Sequence, residues 1–232
     1  MEMNLEKKVV EQWRMEKKFP FANNQLVHAR VAILSNPILF SPLYPSRWVH
    51  NIYFDTINLK SYHENIDGHS KRIKTRLRWY QDINHSNTIP NLEFKIKENA
   101  LGSKKIFTLN LEILPFFNPN LMITKEMLFA IKQIKDLHIT GHYQPILHNY
   151  YLREYFISGD KKYRLTLDSQ QKKKKLSPLL SPRSPIISDF SIIELKYELK
   201  EELDASRITQ KVPFRMDKFS KYIEGIKLLN LL

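Results

Sequence analysis

Lys74, Arg76 and Arg78 alternate with Ile73, Thr75, Leu77 and Trp79. Successive side chains of a strand point to opposite faces, so this spacing predicts a strand with one purely cationic face. Residues two apart on a strand stand about 6.5 Å apart, near the spacing of alternate phosphates in a linear chain. Arginine can also grip a phosphate bidentately. The chemistry these residues could do is recognition of a dense, extended anion.

Four other alternating stretches repeat the device with mixed sign. Residues 13–19 place Arg14, Glu16 and Lys18 on one face, and residues 91–97 place Glu93, Lys95 and Lys97. A hairpin of 150–157 and 163–168, turning at Gly159 and Asp160, gives Arg153 and then Arg164, Thr166 and Asp168. The last stretch, 190–199, gives Glu194, Lys196 and Glu198. The opposite faces are apolar, as in Leu92, Phe94 and Ile96 or Ile193, Leu195 and Tyr197. An ordinary sheet with one face in water explains any one strand. Five such faces, with amphipathic helices between them that need apolar surface to cover, point to a different arrangement. The sheet closes with its charged side inward and its helices outside, which also removes the edge strands. The expected fold is α+β, a closed eight-stranded antiparallel tunnel.

A lumen of this kind holds too few acids to neutralise its cations, so it calls for water and a highly charged anion. Glu16, Glu93, Asp168, Glu194 and Glu198 could bring in an oxygen-ligated Mg²⁺ or Mn²⁺ bridging phosphate oxygens. Glu194 is the best candidate, and Glu93 reads as an ion-pair partner.

The whole chain supports the same class. Its 232 residues carry 37 Lys plus Arg against 24 Asp plus Glu, a net charge of +13 that favours anionic partners. With 42% apolar residues it can bury a core, and with no cysteine it excludes thiol chemistry and disulfides. No apolar run reaches the ~20 residues needed to span a bilayer, and residues 1–6 lack the apolar core expected of a secretory leader. The expectation is one domain over 1–232, in the cytoplasm. The glycines are isolated, so no Gly-rich phosphate loop exists. The eight histidines show no close ligand spacing, the nearest pair being His138 and His142.

Further elements follow from pattern. Residues 5–13 could line a helix face, Asn23 or Asn24 could cap a helix ended by Pro37, and a strand is expected over 48–56 after a Pro-punctuated loop. Gly102 should mark a turn before a strand over 105–114, and Thr124 should cap a helix reaching His138. The Lys- and Pro-rich stretch 170–185 reads as a mobile loop, with Lys172 to Lys175 solvated. Asp204 should cap a short helix, and Asp217 should open a last one.

The segments Glu16-Lys17-Lys18-Phe19, Leu92-Glu93-Phe94-Lys95-Ile96-Lys97, Ile193-Glu194-Leu195-Lys196-Tyr197 and Phe219-Ser220-Lys221-Tyr222, with 51–56, 74–78 and 163–168 among them, occur in the order found in VTC domains. The chain thus resembles the polyphosphate polymerase branch of the triphosphate tunnel metalloenzymes, relatives of the CYTH phosphatases. The resemblance implies transfer of the terminal phosphate of a nucleoside triphosphate, ATP first, to a growing polyphosphate. It implies that Lys18, Arg76, Arg78, Lys95 and Arg164 contact phosphate, with Lys74, Lys97 and Lys196 on the same lumenal faces. It implies that Glu194 holds Mn²⁺ or Mg²⁺, and that Lys218, Ser220 and Lys221 on the closing helix bind phosphate near one mouth. Arg76, Arg78, Arg164 and Glu194 would carry catalysis. Arg14 stands where CYTH phosphatases place the first acid of Glu-x-Glu-x-Lys, which favours the polymerase branch. A hydrolase or nucleotide cyclase on the same fold is the alternative, and a binding module for polyphosphate or nucleic acid without turnover is another. Partners would be nucleoside triphosphate and polyphosphate, with no specific nucleic acid and with a membrane protein for export conceivable.

Overall fold

The computed structural model describes residues 6–81, 90–99, 101–108, 143–176 and 184–231. In chain order the elements are β1 (Glu6–Ala22), α1 (Leu26–Leu34), β2 (Ser41–Thr56), α2 (Lys60–Ile66), β3 (Lys71–Gln81), β4 (Asn91–Glu98), β5 (Leu101–Thr108), β6 (Tyr143–Ile157), β7 (Arg164–Lys175), β8 (Ile186–Ile187), β9 (Phe190–Tyr197), α3 (Glu202–Thr209) and α4 (Lys221–Leu228). The hydrogen-bonded order is β6-β2-β3-β4-β5-β1-β9-β7-β8, and β6 also pairs with β7. That last pairing closes eight antiparallel strands into a ring, with two-residue β8 attached to β7. The expected fold class holds.

Apolar faces point outward under helices. Phe19, Leu165, Leu167, Ile193, Leu195 and Tyr197 on β1, β7 and β9 pack with Ala29 and Ile33 of α1 and Ala205 and Ile208 of α3. Burying each large aliphatic or aromatic side chain contributes about 1.5–3 kcal/mol. Across one end of the ring lies α4, whose Tyr222, Ile223 and Ile226 meet Tyr53 of β2, Leu147 of β6, and Leu59 and Tyr62 around α2. Tyr222 also donates its hydroxyl to Asp55 Oδ2 at 2.5 Å, and Asp55 accepts from the backbone N–H groups of Ser61 and Tyr62 at the start of α2.

Several local expectations fail for physical reasons. Residues 6–10 are strand, not helix, because β1 runs long enough to pair first with β5 and then, from Met15, with β9. Asn23 caps no helix: its amide donates to Ser188 O at 2.7 Å and its carbonyl accepts from Ser191 Oγ. β2 begins at Ser41 despite Pro42 and Pro45. Before Trp48 it pairs with β6 alone, so its free edge tolerates residues that cannot donate. Gly102 lies inside β5, and the hairpin turns at Asn99, which takes φ 53°. Asp204 sits within the first turn of α3 rather than capping it. The last helix begins at Lys221, after Ser220 accepts the Ile223 N–H as its cap, so Lys218 and Phe219 precede it. Strand residues 109–114 and the helix of 124–138 lie outside the described residues, as do His138 and His142.

The largest difference is at 170–175, read as loop and found in β7. Lys173 is fully buried with its ammonium on Glu224 of α4, while Lys172 rests over the rings of Trp48 and Tyr150. The lysine run is thus alternating strand, and only part of it faces water. On the outer face of the ring, His50 and His148 also meet, with Nδ1 and Nε2 3.2 Å apart, although 98 residues separate them. Trp79 stacks on His50 at 5.0 Å.

Two outcomes follow. A Cβ at Gly225 would strike the Leu147 side chain, so Gly225→Ala should cost about 1–3 kcal/mol through overpacking, read as a lower urea midpoint. Burial lowers the His50 pKa to about 4, and burial with His50 and Lys174 nearby lowers that of His148 to about 3. Between pH of about 6.5 and 4 the unfolded chain therefore binds more protons than the folded one, and stability falls as pH falls. His148→Phe should flatten the drop in melting temperature across that window.

Candidate active site

The polar faces turn into the lumen. On the β3–β4 wall, Arg76 donates from Nε and Nη2 to Glu93 Oε2 at 2.8 and 2.6 Å. Arg78 lies 3.8 Å from the same oxygen, donates to Asn51 Oδ1 at 2.8 Å and reaches the Tyr151 hydroxyl at 3.2 Å. Lys104 of β5 stands 3.7 Å from Glu93 Oε1. Burial opposes the Glu93 charge, but Arg76, Arg78 and Lys104 hold its pKa far below the usual carboxylate range. Glu93 is the ion-pair partner that the sequence suggests.

The register creates a conflict no single strand reveals. Lys74 stands directly across from Lys95, and Lys95 directly across from Lys104; one step nearer the mouth, Arg72 stands across from Lys97. Like charges directly opposite on paired strands destabilise a sheet. Burial, followed by Lys18, Lys95, Arg72 and Lys97, pushes the Lys74 pKa well below that of a free lysine. Among the described residues its ammonium has neutral acceptors alone, Asn65 Oδ1 and Ser220 Oγ, both at 2.9 Å. Burial likewise lowers Lys97, assisted by Arg72 and Lys18.

Between β1 and β9 the sign alternates. Glu16 binds Lys18 at 3.0 Å and Lys95 at 2.9 Å, while Glu194 binds Lys196 at 2.9 Å and lies 3.7 Å from Arg153. Burial alone would raise both acids, and each is a neighbour of the other, yet the surrounding cations keep both ionised with lowered pKa values. Lys18 gains from the same pair: burial disfavours its charge, but Glu16 and Glu194 outweigh it and raise its pKa. Its third contact is a donation to Phe219 O at 2.8 Å.

On the β6–β7 wall, Arg153 forks onto Asp168 at 2.6 and 2.7 Å, and Lys221 of α4 reaches Asp168 Oδ2 at 2.6 Å. The Lys221 ammonium also lies 4.7 Å from the Tyr151 ring centre. Thr166, directly across from Glu194, has a buried hydroxyl with no hydrogen-bond partner among the described residues.

The structure therefore brings Lys18, Lys74, Arg76, Arg78, Lys95, Lys196, Ser220, Lys221 and Glu194 around one lumen. Lys97 is half-buried near the mouth that Lys218 flanks, and Lys218 itself is exposed. Arg164 is exposed at the far end of β7, four residues or about 13 Å of strand from Asp168. Its neighbour there is Arg14, whose pKa burial and Arg164 both depress. Glu198 lies beyond β9, exposed and paired with Lys200. Absent from the sequence-based site are Arg153, Thr166, Lys104 and the tyrosines 53 and 151. Arg153 shows there as a charged strand residue, whereas the tyrosines give no signal distinct from core aromatics.

A divalent cation fits this donor set in one way. Glu16 and Glu194 are adjacent carboxylates, and Glu16 Oε1 has the Lys18 ammonium beside it at 3.0 Å, a cation that a metal ion would have to displace. No three acidic or histidine side chains converge among the described residues. An ion would thus take one or two carboxylates and complete its shell with water and substrate oxygens, a common arrangement for Mg²⁺.

Known proteins place the architecture. A candidate adenylate cyclase from Bacillus halodurans superposes with a TM-score of 0.51 at 13% identity, covering 94% of this chain and 97% of that one. Another, from Vibrio parahaemolyticus, gives 0.50 at 13% identity over 93% of this chain and 98% of that one. At such identity the likeness is one of fold. No curated protein sequence matches the chain. Among the described residues no helix is long and apolar enough to cross a membrane. The VTC domain model matches residues 13–230, and with its ring, its inward charges and the matched segments in order, the chain belongs to the VTC domain family.

Proposed function

We propose that this chain transfers the terminal phosphate of a nucleoside triphosphate, ATP first, onto a polyphosphate held in its lumen, with Mn²⁺ or Mg²⁺ as cofactor. The observation that supports a polyanionic substrate is the row Lys74–Lys95–Lys104 with Arg72 across from Lys97. Such a row persists at a cost unless an extended anion lies along it. Phosphoryl transfer asks mainly for positioning and charge neutralisation. Lys18, Lys74 and Lys95 would align the chain, while Arg76 and Arg78 would stabilise the equatorial oxygens of the transferring group. Lys196 would steady Glu194. Arg164 at one mouth and Lys97, Lys218, Ser220 and Lys221 at the other would guide polymer in or out. The terminal phosphate of the acceptor would be the nucleophile, so no side chain needs that role. Glu194, with Glu16 beside it, would hold the metal, which supplies Lewis-acid neutralisation of phosphate oxygens. A product made in the lumen must leave it, and a membrane protein docked at one mouth is the proposed recipient, on the cytoplasmic side.

Arg14 in place of the first acid of Glu-x-Glu-x-Lys on β1 favours transfer over hydrolysis. The fold shared with candidate adenylate cyclases keeps a second reading in play, cyclisation or hydrolysis of the triphosphate. Incubation with ATP and Mn²⁺ decides: long polyphosphate supports the polymerase, orthophosphate a hydrolase, cyclic nucleotide with pyrophosphate a cyclase, and no product a binding module.

Glu194→Gln should abolish turnover while leaving tripolyphosphate affinity within about threefold; full metal-dependent activity in that variant would overturn the metal assignment. Because Lys74 sits far below its ordinary pKa, a bound polyanion should recharge it. Calorimetry at mildly alkaline pH, in buffers of different ionisation enthalpy, should therefore show proton uptake on binding tripolyphosphate. The uptake should shrink in Lys74→Met.

A further inference from the structure

Beside the mouth closed by α4 is an open groove of about 480 Å³ that shares Lys218 and Ser220 with the phosphate path but whose aromatic wall that path does not use. Its walls are Asp189 and Phe190, at the turn into β9, and Phe219, Ser220, Ile223 and Leu228 on and before α4. Lys218 and Lys227 flank it. Phe190 is 44% exposed although it is a large apolar ring. It opens β9 in the same two-residue phase as Glu194 and Lys196, so its side chain stands on the lumenal side, at the rim. Phe219 lies beside it, with ring centres 6.3 Å apart and planes at 59°. The backbone there is fixed independently of that ring, since Gln171 donates to Phe190 O at 2.7 Å.

The groove is continuous with the tunnel. Ser220, one of its walls, is the acceptor of Lys74 Nζ, and Phe219 O is the acceptor of Lys18 Nζ. A flat molecule on Phe190 with an anionic tail would lead that tail past Lys218 and Ser220 to the first lumenal ammonium groups. A purely anionic polymer has no use for an exposed phenyl ring or for the Asp189 carboxylate. A nucleobase does: its π-face stacks on an aromatic side chain, and its amino group donates to a carboxylate.

We infer that this groove is a nucleobase site, in which the base of a nucleoside triphosphate stacks on Phe190 while its phosphates pass Lys218 and Ser220 into the lumen. The inference rests on the proposed tunnel substrate and adds how the nucleotide is told from polyphosphate at the mouth. It gives the two anions different footholds: the donor nucleotide has the ring and the cations, and the polymer has the cations alone.

Calorimetric titration of ATP and of inorganic tripolyphosphate into the whole chain tests it, with wild type, Phe190→Ala and Phe190→Trp. Stacking on one ring is worth about tenfold or more in affinity. Phe190→Ala should therefore weaken ATP about tenfold and leave tripolyphosphate within about twofold, and Phe190→Trp should restore ATP. If Phe190→Ala weakens both ligands equally, or neither, the base site is overturned while the tunnel reading stands. If wild type binds ATP but not tripolyphosphate and the Phe190 dependence holds, the base site stands and the tunnel reading falls. Failure of ATP to bind wild type overturns the base site outright.

Discussion

Closure of the sheet is the constraint on which everything else depends. Because β6 pairs with β2 along one edge and with β7 along the other, each of the eight strands has two neighbours. No polar face can then turn to bulk water without breaking a ladder. Charges that an open sheet would solvate are compelled to neutralise one another across a narrow space, where an unpaired charge is costly. The carboxylates are too few for one partner each, so they are shared. Glu93 serves Arg76, Arg78 and Lys104, and Asp168 serves Arg153 and Lys221.

Where carboxylates run out, neutral groups substitute. Lys18 completes its contacts on the Phe219 carbonyl, and Lys74 donates to an amide and a hydroxyl. Two of these three acceptors come from the segment entering α4, which joins the packing of one end of the ring to the electrostatics inside it. Tyr222, bound to Asp55, and Glu224, bound to the buried Lys173 and to Ser188, anchor the same segment from its other faces. The closing helix is thus held by polar contacts as much as by its apolar stripe.

Much of this was legible in the sequence, and the reasons it was or was not are specific. Two-residue alternation of Lys74, Arg76 and Arg78 against Leu77 and Trp79 is a local signal, so β3 and its cationic face could be read directly. The same holds for β4, β7 and β9. Strand register is set by long-range pairing, and it is register that puts Lys74 across from Lys95 or Glu16 beside Glu194. Those juxtapositions were invisible. Residues 6–10 and 170–175 lack clean local patterns, and each became strand because a partner elsewhere offered an edge. The His50–His148 contact was missed because chain spacing is the wrong measure of proximity.

The hydrogen bond from Lys18 to Phe219 spans 201 positions of chain. β1 itself gains its neighbours only when β5 and β9 arrive, and the mouth waits for residues beyond every strand of the ring. Topology dominated by such distant pairings folds slowly. During synthesis the first strand must therefore persist, with its alternating charges and half its ladder unmade, while most of the chain is still emerging. The excess of lysine and arginine that suits an anion in the finished lumen has a second effect at that stage. Mutual repulsion among exposed cations discourages early strands on neighbouring chains from pairing with each other, so the lining of the tunnel also protects its own assembly.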